Sequence, residues 1–89
     1  MPKYIVWGHY CENVREKREP YRQAHLDGLA KLKQSGGLVT IGPTRDLTQV
    51  FGIYEAPDEA TVRQWVESDP YWQHGIWTGY DVKEWIQAF

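Results

Sequence analysis

Among the 89 residues, five have types and spacings that could do chemistry: Arg22, His25, Asp69, Tyr71 and Trp77. His25 follows Tyr21 by one helical turn on a stripe with Leu29 and Leu32, so its imidazole faces a core or a cavity rather than bulk solvent. Asp69 precedes Pro70 and the aromatic pair Tyr71-Trp72, where a local turn can hold a carboxylate rigidly. A carboxylate bonded to one imidazole nitrogen fixes the tautomer and raises the basicity of the other nitrogen, which makes a general base. Arg22, one turn before His25, has a planar fork suited to a substrate carboxylate or to a structural partner. Tyr71 and Trp77 would shape an apolar pocket. Each residue also has a plainer reading: a core histidine satisfied by a hydrogen bond, and an aspartate that caps a turn.

Other reactive patterns are weaker. His9 and Cys11 lie two apart on a strand with His74 elsewhere, but no paired spacing of the zinc type is present and no metal is expected. Ser35-Gly36-Gly37 lacks the lysine and hydroxyl of a phosphate loop, and no nucleophile motif appears, so no cofactor and no covalent catalysis are expected.

The elements that must position these groups follow from periodicity. Lys3 to Tyr10 alternates as a strand, with Tyr4, Val6 and Tyr10 on one face and Ile5, Trp7 and His9 on the other. A helix runs from about Pro20 to Ser35 after a looser segment over 13–19, with Leu26 and Ala30 widening its apolar stripe and Gly36-Gly37 closing it. Leu38 to Gly42 and Leu47 to Ala56 form a hairpin across a turn at 42–46. A second helix starts at Pro57-Asp58-Glu59, carries Ala60, Val62, Trp65 and Val66, and reaches Ser68; a short loop then leads to a last strand over Ile76–Trp85. The order is βαββαβ, an α+β ferredoxin-like pattern with a four-stranded antiparallel sheet and helices on one face. Trp7, Phe51, Trp77, Tyr80 and Trp85 among the strand residues make the other face too aromatic for water, which points to a homodimer.

Composition bounds the rest. Hydrophobic residues at 42% and charged residues at 25% describe one globular domain spanning 1–89, which at this length needs a staple or a partner chain. Cys11 is the lone cysteine, so no internal disulfide forms, and together with an opening apolar run too short for a signal peptide this fits a cytoplasmic protein without a membrane helix. A net charge of −2 offers no field for nucleic acid, and the cluster Arg15, Lys17, Arg18 and Arg22 mixes with Glu16 and Glu19 as a solvated helix face does.

Arg22-Gln23-Ala24-His25-Leu26, Gly42-Pro43, Gly52, Asp69-Pro70-Tyr71 and Gly75-Ile76-Trp77 with Val82 and Trp85 come in an order and at spacings that resemble the YciI-like (YCII-related) family over about residues 3–85. The resemblance implies a dimeric α+β barrel in which a histidine and an aspartate, His25 and Asp69 here, line a cavity taken as an active site. It also implies chemistry of the cofactor-independent lyase or isomerase kind on a small organic acid or lactone, since one member is proposed to eliminate chloride from a lactone. The charged, proline-broken segment from Cys11 to Pro20 departs from the family pattern and alters whatever covers the cavity. The alternative is a non-catalytic domain that binds a small ligand or a partner, with the pair serving structure.

Overall fold

The computed structural model describes all residues from Met1 to Phe89. The elements run β1 (Lys3–Tyr10), α1 (Val14–Lys17), α2 (Glu19–Gln34), β2 (Leu38–Pro43), β3 (Gln49–Glu55), α3 (Glu59–Ser68), α4 (Pro70–Gln73) and β4 (Trp77–Trp85). The four strands form one antiparallel sheet in the order β2-β3-β1-β4. This is the ferredoxin-like arrangement, with consecutive strands β2 and β3 as a hairpin and β1 paired with β3 on one side and β4 on the other.

Local chemistry sets the boundaries. Pro20 sits in the first turn of α2, where its missing N–H costs nothing, and the break at Arg18 separates the one-turn α1 from the long helix. Gly36, at φ +88°, takes the left-handed conformation that ends α2. Asp58 caps α3 by accepting from the Thr61 N–H at 2.8 Å. Leu47 lies at φ 59° in the turn, so β3 starts at Gln49 rather than at Leu47. The expected loop after α3 contains instead the short α4, started by Pro70.

The core fills the space between the sheet and the helices. Tyr4 and Val6 from β1, Val50 and Tyr54 from β3, Val82 from β4, Val62 and Val66 from α3 and Tyr71 from α4 are all buried. Two expectations need correction. Leu26 is 41% exposed and Ala30 faces solvent, so the buried stripe of α2 is narrow, with His25 as its single fully buried side chain. The five strand aromatics also divide between faces. Trp77 is only 4% exposed and packs in the helix-side core, and Tyr80, paired with Gly8 in the sheet, hydrogen-bonds Glu67 of α3. Residues paired directly across antiparallel strands share a face, so Trp7, Phe51, Ile5 and Ile53 remain on the uncovered side.

Candidate functional site

The site is built where α2 passes α4. Pro70 disfavours helical geometry at Asp69, which adopts φ −71° and ψ 136°, so α3 stops and the chain turns. In that extended conformation the Asp69 carboxylate folds back to accept the Tyr71 backbone N–H at 2.8 Å and caps α4. The same carboxylate meets His25, 44 residues earlier in the chain: Nδ1 lies 2.8 Å from Oδ1 and 2.9 Å from Oδ2. The capping reading and the histidine-partner reading of Asp69 are thus both true of one side chain.

An ionised carboxylate only accepts, so His25 Nδ1 carries the proton and donates; in the neutral ring the lone pair then sits on Nε2. Nε2 makes no hydrogen bond within the chain, yet it is not sealed away, since the buried side-chain polar atoms lacking a partner are Arg18 Nε and Trp77 Nε1. The Tyr71 ring lies flat on the imidazole, with centroids 3.6 Å apart and planes 6° from parallel. Trp77 meets both rings edge-on, at 5.3 Å from His25 and 5.7 Å from Tyr71. The imidazole is therefore held in orientation by one charged acceptor and two aromatic walls.

Four of the five candidate residues, His25, Asp69, Tyr71 and Trp77, form one cluster. Arg22 is exposed on α2, with its charge near enough to pull down the Tyr71 phenol that burial pushes up. Arg18 was assigned above to a solvated face and is not on one. It is half-buried, its Nε is sealed without a partner, and its charge acts on both Tyr10 and Tyr71. Burial raises the Tyr10 hydroxyl, while the Trp77 indole N–H, which faces it outside hydrogen-bond geometry, and the Arg18 charge pull it down. Arg18 keeps helical backbone geometry and donates to the Val14 carbonyl, so no local sequence signal marks its inward side chain. His9 is exposed, and His74 stacks on Tyr21 at 3.9 Å. No group of three or more His, Cys, Asp or Glu side chains is arranged to hold a metal ion.

A cavity of about 440 Å³ opens between α2 and α3, beside Asp69 and not at the imidazole. Leu29 and Leu32 of α2, Trp65 of α3, Pro70 and the floor residue Tyr54 line it, with Lys31, Ser35 and Ser68 at its polar edges. Its Trp65 wall is set by a close approach: a Cβ on Gly37 would come within 2.7 Å of Leu32 and 2.8 Å of Trp65.

The YCII-related domain family matches residues 2–86, nearly the whole chain, and the chain belongs to that family. It is similar to the protein YciI of Escherichia coli, 27% identical over 96 residues that cover 97% of this chain and 98% of that protein. An uncharacterized protein of Haemophilus influenzae is 26% identical, with 97% and 98% covered. Among solved structures, the 5-chloro-2-hydroxyhydroquinone dehydrochlorinase TftG of Burkholderia phenoliruptrix, in complex with 2,5-dihydroxybenzoquinone, superposes with a TM-score of 0.83 at 25% identity, covering 97% of this chain and 95% of its own. A NIPSNAP family protein of Agrobacterium tumefaciens, at TM-score 0.58 and 14% identity with 94% and 90% covered, shares the fold. No helix is long and apolar enough to cross a membrane.

Proposed function

We propose that this member of the YCII-related family is a cofactor-independent lyase or isomerase for a small organic acid, lactone or hydroxyquinone, with His25 as general base. The observation that carries the reading is the buried imidazole whose Nδ1 is committed to both oxygens of Asp69 while Nε2 has no partner. In the reaction Nε2 takes a proton from carbon next to a carbonyl, and the electron pair moves onto the carbonyl oxygen as an enolate. The enolate then either expels a leaving group from the adjacent carbon or is reprotonated at a new position. Asp69 stabilises the imidazolium that forms, as a carboxylate bonded to Nδ1 does. Arg22 would hold a substrate carboxylate, and Tyr71 and Trp77 would fix the ring plane and exclude water. The dehydrochlorinase activity of the similar TftG supports the elimination branch, with chloride as leaving group.

The test is turnover of a panel of hydroxyquinones and lactones, followed by chloride release and by deuterium incorporation next to the carbonyl. His25→Ala should cut turnover by about 10²–10⁴-fold, the usual worth of a positioned base, while the protein stays folded. A second reading, in which the pair only holds α2 to α4, draws on the Tyr71 stack that leaves His25 at 6% exposure. It would be favoured by a His25→Ala protein destabilised by about 2 kcal/mol or more together with a wild type that turns over nothing on the panel.

The functional unit we infer is a homodimer closed over the uncovered sheet face. Phe51 is 46% exposed at the centre of that face, next to half-buried Trp7 in the register, an apolar patch that a second copy would cover. Phe51→Glu should halve the mass measured by light scattering; an unchanged mass in both proteins would remove this arrangement.

A further inference from the structure

The cavity between α2 and α3 has a floor that is chemically unfinished. Tyr54 is 1% exposed, yet its hydroxyl has no hydrogen-bond partner in the chain. It is absent from the sealed orphan atoms, so the hydroxyl meets the cavity that the residue lines. Burial, and after it the negative charge of Asp69, raise this phenol far above its ordinary value, which keeps it a donor. Asp69 lines the same cavity. A carboxylate offers about four acceptor positions, and its bonds to His25 and the Tyr71 N–H do not use them all. Donor and acceptor therefore line one cavity with apolar walls: Trp65, whose ring lies 6.4 Å from that of Tyr54, and Leu29 and Leu32. An exposed lysine, Lys31, stands at the rim.

We propose that this cavity is a binding site for a small hydroxyaryl molecule, whose phenolic O–H donates to Asp69, whose oxygen accepts from the Tyr54 hydroxyl, and whose ring lies against Trp65. A volume of about 440 Å³ accommodates one substituted ring with room for a short acidic tail that reaches Lys31. A site built to pair a hydroxyl discriminates against the analogue that lacks it, because Tyr54 and Asp69 would then stay unpaired. The inference is independent of the base chemistry assigned to His25, which does not line the cavity. A bound phenol would nonetheless share Asp69 with the imidazole, so occupancy would be felt at the dyad.

The experiment compares 4-hydroxyphenylacetate with phenylacetate by calorimetry and by the indole N–H resonance of Trp65, assigned with Trp65→Phe. The expected result is saturable binding of the hydroxylated probe that shifts the Trp65 resonance, about tenfold or more tighter than phenylacetate. Tyr54→Phe keeps its shape and strands no partner, so it should fold normally and abolish the preference. Calorimetric binding of the probe requires no turnover, which separates this site from the catalytic reading. Equal affinities for the two probes, a preference that survives in Tyr54→Phe, an unmoved Trp65 resonance, or no saturation up to about 10 mM would each overturn the proposal.

Discussion

Asp69 divides its surroundings into two unlike neighbourhoods. On one side His25 Nδ1 and the Tyr71 amide occupy the carboxylate, Tyr71 and Trp77 close over the imidazole, and His25 Nε2 and the sealed Trp77 Nε1 are the groups left without a partner. On the other side the walls are comparably aromatic, but the Tyr54 hydroxyl has no partner and about 440 Å³ lies open. The paired carboxylate and the stacked rings fix the direction of the free Nε2, so the first neighbourhood is built to hold a geometry. The second is built to receive one, since an unfilled donor beside a spare acceptor is useful only when something arrives to pair with both.

The comparison breaks hardest at the stack. Tyr71→Ala removes the ring that lies on His25 and leaves a hole in a core position only 2% exposed, and it should cost about 3–5 kcal/mol in urea unfolding. It should also free the imidazole to rotate, lowering turnover more than affinity. Equal stability of variant and wild type would mean that the closed side is not the rigid one. A smaller change on the open side should have the opposite sign. Gly28 sits within α2 on the cavity lining, and a Cβ there would meet no atom within 4 Å, so packing does not demand a glycine. Gly28→Ala should stabilise the helix by about 0.5–1 kcal/mol, yet weaken binding of 4-hydroxyphenylacetate by narrowing the wall. Binding that improves with stability would show that the cavity is incidental.

The smallest effect lies outside both neighbourhoods, at the start of α3. The Thr61 hydroxyl, followed by the Thr61 amide, holds the Asp58 carboxyl below its ordinary 3.8. A depressed folded value contributes stability that is present above 3.8 and is lost as pH falls through the lower folded value. Asp58→Asn keeps a capping side chain but cannot titrate, so its melting temperature should fall less between pH 5 and pH 2 than that of the wild type. Parallel acid profiles would assign that loss to other carboxyls.

Much of this was legible in the sequence because period and punctuation are local. The strand alternation of Tyr4 and Val6, the proline in the first turn of α2 and the glycines that end it placed the elements within a residue or two. What failed had a non-local cause. Trp77, five residues before Val82, shares its face because the register shifts between His9 and Tyr10, which alternation alone cannot report, whereas Tyr80 follows plain alternation with Val82. Arg18 lay in a charged run whose composition spoke for solvent, and its sealed Nε comes from tertiary packing that such a run does not report. The meeting of His25 with Asp69 was implied by family resemblance and has no short-range signal, since 44 residues separate them. The cavity has none either, because it arises from how far two helices stand apart.

The bond from the Tyr71 amide to the Asp69 carboxylate gives the molecule a built-in clock. A backbone proton tied to a side chain exchanges with solvent only when that side chain lets go, so the deuterium uptake of one amide times each opening of the site. Its partner carboxylate also closes a 44-residue loop through His25, a late and costly event for a folding chain. The Tyr71 amide should therefore be among the last to gain protection during refolding, and its exchange rate in the native protein reads how often the finished site comes undone.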